Sequence, residues 1–264
     1  SSECRGAMRN FLSSSDDVLS SILSTFNAPL LPWRNPIVDT ATSACDFDVR
    51  DVRKKKMSIY IGITPNKLGD AKLIINLLFS QLVNLNTKEL PQKNPTVLKY
   101  QCLLLMDEFT SIGVVNIIAT AVSYIAGYNL RLLPIIQSTA QLESPSNYGK
   151  DDARTLMTNH AMQIVYAPRD QKDANDVSES LGYITEKSRS ISRSHGYGKS
   201  GGGSESISDQ RRALLLPQEV KEIGQWKEII LLENVKPILC DKIRYFDDPE
   251  FTSRLRTAPT IAAI

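Results

Sequence analysis

Three short apolar runs, each closing on polar residues, constrain this chain more than anything else in it. They are QCLLLMDEF at 101–109, LRLLPIIQS at 130–138 and MQIVYAP at 162–168. Runs of this length, separated by helical patterns, read as strands buried on both faces. Residues 113–127 carry apolar side chains at helical spacing, and a further helix is expected around 151–158. Upstream, SIYIGIT (58–64) reads as a β-branched strand before an amphipathic helix from Leu68 to Val83, and downstream Asp173 to Leu181 reads as helix. Strand and helix in alternation predict an α/β fold, with a mainly parallel sheet covered by helices on both faces. Pro134 lacks the N–H that a ladder needs, which predicts a bulge or an edge position within the second run. WKEIILLEN (226–234) and KPILCDKIRYF (236–246) meet at Asn234 and read as two more strands.

Residues 1–28 show one or two helices, with Asp16 and Asp17 where negative charge suits a helix start. Pro29, Pro32 and Pro36 then predict an extended connection. The chain opens at Ser1 inside a helical pattern, which is expected of a piece of a larger protein. With a net charge of +2 there is no global basic field, so any nucleic-acid contact must come from local patches. Cys4, Cys45, Cys102 and Cys240 form no CxxC pair, which argues against a zinc site or a disulfide framework and fits reduced thiols in a cytosolic setting. No signal-peptide pattern is present, and no apolar run approaches the roughly 20 residues that span a bilayer. The longest, residues 114–128, is interrupted by Asn116, Thr120 and Ser123.

GYGKSGGGSES (196–206) has the look of a phosphate cradle, and fails as one. The P-loop pattern needs a glycine five residues before Gly198, where Arg193 stands. The preceding SRSISRSHG is polar rather than a buried strand. Three consecutive glycines, at about 1 kcal/mol each relative to alanine, do not open a helix. Residues 188–208 therefore read as a flexible Ser/Gly-rich surface loop, whose Arg189, Arg193 and Lys199 can touch a phosphate backbone only transiently.

LLLMDEF (103–109) is the stronger chemical signal. An apolar strand ending in Asp107 and Glu108 delivers two carboxylates to the carboxyl edge of a parallel sheet, where α/β folds bind ligands. Such an aspartate helps hold Mg2+ on a nucleoside triphosphate, and an adjacent glutamate is placed to deprotonate an attacking water. The next strand exits at Gln137 and Ser138, which places an amide within reach of the γ-phosphate or that water. Any strand can end in solvated polar residues, and the pairing of two such tips is what favours function. Arg53-Lys54-Lys55-Lys56, the densest basic run, reads either as a DNA-phosphate contact or as a solvated turn beside Asp46, Asp48 and Asp51. Arg131, Arg154 and Arg169 are candidates for an arginine finger, and no spacing selects among them. His160 and His195 suggest neither a metal site nor a triad, and Trp33 and Trp226 read as core or interface residues.

LLLMDEFTSIG followed by AVSYIAGYNLRLLPIIQSTAQL resembles the coupling proteins of type IV secretion and conjugation, the TraG-like family of DNA-transfer ATPases. The resemblance continues through NPIVDTATSACDFDVRDVRKKKMSIYIGITPNKL, TNHAMQIVYAPRDQKDANDVSESLG and DQRRALLLPQEV, nearly the whole chain. It implies a RecA-like P-loop NTPase core, ATP and Mg2+ as ligands, and Asp107 and Glu108 as the Walker B pair, with Asp107 holding Mg2+ indirectly. Gln137 matches the family's motif glutamine. The resemblance also implies a hexamer at the cytoplasmic face of the bacterial inner membrane, taking DNA, relaxase–DNA or protein substrates and working with the secretion-channel ATPases. The chain departs from the family in having no Walker A sequence. It is therefore expected to be the carboxyl-terminal portion of such a protein, its core incomplete at the amino-terminal side. Residues 1–45 are then the end of an inserted all-helical domain and its return linker, and residues 46–264 a partial nucleotide-binding domain. The alternative is a truncated, non-catalytic module that docks onto coupling-protein subunits or relaxase.

Overall fold

Helices come first, as the spacing predicts. In the computed structural model, which describes residues 2–193 and 203–257, they are α1 (Ser2–Leu12), α2 (Asp16–Asn27) and α3 (Pro36–Thr42), none with a buried residue. The proline-rich link between α2 and α3 is not extended: it is a 3-10 helix over Ala28–Arg34, because proline's fixed φ suits a helical turn as well as an extended one. The Asn35 side chain then accepts the Ile37 N–H and caps α3, whose first residue is Pro36.

Helix α4 (Leu68–Asn86) buries Ile75, Phe79, Leu82 and Val83, a stripe at three- and four-residue spacing. It packs beside α5 (Asn116–Ala121), which lies between the strands β1 (Cys102–Met106) and β2 (Leu130–Pro134). Those strands pair in parallel, with Leu104 opposite Leu132 and Met106 opposite Pro134. Leu104, Met106 and Leu130 point into the core, whereas Leu103 and Leu105 are 56% and 57% exposed on the other face. Ile135 donates its N–H to the Met106 carbonyl, so by alternation the Pro134 nitrogen faces the open side of β2. Proline thus ends an edge, as expected.

The short α6 (Thr139–Glu143) and α7 (Gly149–Thr158) lead to β3 (Met162–Val165) and α8 (Gln171–Leu181). Asp170 caps α8 by accepting the N–H groups of Lys172 and Asp173. The hairpin of β4 (Tyr183–Arg193) and β5 (Gly203–Ala213) follows, then α9 (Pro217–Lys221), β6 (Lys227–Leu232), β7 (Ile238–Asp241) and α10 (Pro249–Thr252). Strands β3, β6 and β7 form an antiparallel sheet. The chain turns between β6 and β7 through Asn234 at φ 62°, which realises the strand pair expected around that residue. One face of this sheet carries Ile229, Val165 and Leu231 onto Leu181 and Val177 of α8 and Val220 of α9.

The described chain forms two compact units, residues 2–137 with 141–156, and residues 138–140 with 157–257. The α/β class stands, with β1 and β2 as its parallel pair among the described strands, while the strand at 162–168, expected in the same parallel run, instead pairs antiparallel with β6. Two further expectations are corrected. Residues 58–64 form no strand, and Tyr60 is 92% exposed, because no described segment offers them a ladder. Residues 188–193 and 203–208, expected as loop, belong to the β4–β5 hairpin, in which Ser188 faces Ser208 and Arg189 pairs with Glu205. His195 and Lys199 lie outside the described residues.

Candidate functional site

Parallel pairing of β1 and β2 brings their carboxyl ends to one edge, and that register decides which polar residues meet. Asp107 and Glu108 follow Met106, and Gln137 follows Pro134 by three residues. All three side chains are exposed there. The Gln137 amide donates from Nε2 to both Glu108 carboxylate oxygens, at 3.2 Å each. Ser111 Oγ adds a longer bond of 3.4 Å to Oε2, and the Glu108 N–H donates to Asp107 Oδ1 at 3.1 Å. The three residues singled out in the sequence therefore converge. Ser111 was not singled out, and its only trace is its place three residues beyond Glu108, which a short 3-10 turn over Phe109–Ile112 folds back toward the acid.

Glu108 holds this position in the left-handed region, at φ 51° and ψ 43°. For a residue with a Cβ that conformation costs roughly 1–2 kcal/mol, and it persists only where neighbours fix it. Here Phe109 is buried and donates its N–H to the Ile135 carbonyl at 3.0 Å, tying the turn to the end of β2. Thr110 Oγ1 reaches Gln141 Oε1 at 3.3 Å. The result is a pair of solvent-facing carboxylates on a backbone that is locked from behind.

Among the described residues no group of three or more His, Cys, Asp or Glu side chains can hold a metal ion alone. The donor set suits a hard cation held by one or two carboxylates together with water and phosphate oxygens, the way Mg2+ is usually carried beside a nucleotide. Asp107, exposed at the strand end, fits that part.

The family model for type IV secretory system conjugative DNA transfer matches residues 2–263. The chain belongs to this family. VirD4 of Rhizobium radiobacter is 34% identical over 216 residues, covering 82% of this chain and 30% of that protein. The conjugal transfer protein TraG of Escherichia coli is 25% identical over 270 residues, covering 94% of this chain and 42% of TraG. The chain thus spans about a third of the length of its VirD4 relatives. Among solved structures, the unbound monoclinic form of the bacterial conjugative coupling protein TrwBΔN70 superposes with a TM-score of 0.65 at 18% identity, over 88% of this chain and 51% of TrwB. TrwB in complex with ADP and Mg2+ superposes with a TM-score of 0.62 at 16% identity, covering 88% and 50%. The RecA-like α/β fold expected from the sequence is that of TrwB.

In a conjugative DNA transfer protein the basic run at 53–56 is a natural place to look for phosphate contacts, and the fold withdraws Arg53 from it. Arg53 is buried and donates to Asn86 Oδ1 at 3.2 Å and to the carbonyls of Glu89 and Tyr128 at 3.1 Å each. Desolvation lowers its pKa, with the Glu89 carboxylate acting in the opposite sense. Lys54 and Lys55 pair with Asp51 at 3.5 and 2.9 Å. Of the arginine-finger candidates, Arg131 donates to the Ala126 carbonyl at 3.0 Å. Trp33 spends its indole N–H on Thr42, and Trp226 lies under Arg244.

Proposed function

We propose that this chain is the carboxyl-side part of the ATP-hydrolysing core of a DNA-transfer coupling protein. The observation that carries the reading is the Gln137–Glu108 bond beside Asp107, at the shared carboxyl edge of two parallel strands in a member of the conjugative DNA transfer family. Asp107 would hold the Mg2+ of Mg–ATP through its water shell. Held there, the ion would supply charge neutralisation to the triphosphate. Glu108 accepts the proton of the attacking water, and a carboxylate on a pre-set turn does so without reorganising. Gln137 holds that carboxylate through its amide N–H and exchanges it for the γ-phosphate or the water when nucleotide arrives. The phosphate cradle comes from sequence outside this stretch. The solved TrwB complexes with a GTP analogue and with ADP and Mg2+ support nucleotide as the ligand.

The parent protein then uses hydrolysis to move relaxase-bound DNA or protein substrates into a type IV secretion channel. It works as a hexamer alongside the channel ATPases, at the cytoplasmic face of the inner membrane. No helix among the described residues is long and apolar enough to cross a membrane. In the full-length protein, Glu108→Gln is expected to lower ATP turnover at least about a hundredfold while ATP affinity stays within twofold. Wild-type turnover in that variant would remove Glu108 from the chemistry and bring forward the non-catalytic docking module.

A further inference from the structure

Tyr148 takes no part in the chemistry outlined above, yet it grips the segment behind it at two points. Its ring is buried and stacks on Phe109, the residue after Glu108, with centroids 5.1 Å apart and planes 17° from parallel. Its hydroxyl accepts the N–H of Val115 at 3.1 Å. Phe109 and Val115 are both buried, and they are the two ends of the segment that leads from the acidic turn into α5. Between them Gly113 sits at φ 76°, a conformation that suits glycine. Asn76 of α4 secures the same segment from the other side, donating to the Val114 carbonyl at 2.6 Å.

Tyr148 is itself held firmly. Its N–H donates to the Leu142 carbonyl at 3.2 Å, and the Asn147 and Gly149 N–H groups both donate to the Ser144 carbonyl. The left-handed turn at Glu108 needs neighbours that over-determine it. A phenylalanine at 148 would fill the same volume, but it would leave the buried Val115 N–H without a partner. The hydroxyl therefore does something that packing alone does not require.

We propose that Tyr148 is a positioning residue for Glu108: ring on Phe109 and hydroxyl on Val115, it fixes the strap that sets the direction of the Glu108 carboxylate. The inference rests on the reading of Glu108 as the base. A carboxylate displaced by a fraction of an ångström still admits nucleotide but meets the attacking water poorly, so the loss falls on turnover rather than on binding.

The test uses the full-length coupling protein and compares Tyr148→Phe, Asn76→Ala and Glu108→Gln with wild type. ATP affinity is read by equilibrium titration, turnover is read per nucleotide-binding molecule, and both are measured well below each variant's Tm. Tyr148→Phe is expected to lower kcat about tenfold with KM for ATP within twofold. Asn76→Ala, which frees the same strap from α4, is expected to show the same split, and it decides the matter if Tyr148→Phe does not fold. A lowered Tm with wild-type kcat in both variants would make Tyr148 a core residue only and overturn the inference. Wild-type turnover in Glu108→Gln would remove the base itself, and the positioning role with it. A dead Glu108→Gln beside fully active strap variants would remove the positioning role alone.

Discussion

At the scale of single residues the site is a contrast between exposed acids and a buried phenol. Burial pushes the Tyr148 hydroxyl from 10.0 up to about 12, the N–H of Val115 acts against that rise, and Asp152 adds to it. The fold accepts the neutral phenol and disfavours the phenolate, so Tyr148 contributes stability that is whole below pH 10. That contribution is lost as the pH climbs through about 12. The urea midpoint of the wild-type protein should therefore fall between pH 10 and pH 12. Tyr148→Phe, starting lower, should lose less over the same interval, and parallel slopes for the two proteins would show that another group governs the alkaline limb. Asp107, Glu108 and Gln137 were legible in the sequence because an apolar run announces a strand and its first polar residues announce the tip. Tyr148 was not, since it meets Phe109 from 39 positions away, and a stack across that separation leaves no periodic trace.

Among the elements, those that bury a regular stripe were readable, and those that depend on a distant partner were not. Helix α4, the β1–β2 pair and helix α8 follow their periodicity closely. SIYIGIT has the composition of a strand, but composition cannot supply a neighbour, and without one its peptide groups have no ladder. The opposite error occurs at β4 and β5, whose serines and glycines look like linker while eleven residues on each side pair in register. Arg53 shows how a basic run misleads. Its guanidinium joins the end of α4 to the segments at Glu89 and Tyr128, so it is a structural brace inside a stretch of otherwise exposed lysines. Arg53→Ala should cost about 3 kcal/mol, through lost charge-assisted bonds and a buried gap. Lys55→Ala, which removes an exposed pair with Asp51, should cost under about 0.5 kcal/mol. Urea unfolding of the two variants checks this, and equal small losses would return Arg53 to the pool of surface cations.

For the whole molecule, the notable property is that the β1–β2 pair and the three-stranded sheet each cover one apolar face and leave the other open. On the β1–β2 pair the open face carries Leu103, Leu105, Leu133 and Ile135, and on the three-stranded sheet it carries Met162, Ile164, Leu232 and Ile238. At about 25 cal/mol per Å2, covering either set contributes several kcal/mol, enough to favour weak association but short of the roughly 8 kcal/mol that a micromolar dissociation constant represents. The chain purified by itself should therefore self-associate, and sedimentation velocity should show its mass rising with concentration. Leu105→Lys, which points out of the sheet, should shift that distribution toward the monomer without lowering the chain's helix or strand content. The inward neighbour Leu104→Ala should instead destabilise the fold by about 2–5 kcal/mol, since it empties a packed core. In the full-length parent, where the proposed core is complete, the expectation for Leu105→Lys reverses: a lysine forced beneath covering sequence should lower Tm. A Leu105→Lys parent as stable as wild type would mean that this face stays open to solvent or to a partner even in the intact protein. A monodisperse wild-type chain would mean that the exposed leucines are too dispersed to drive association.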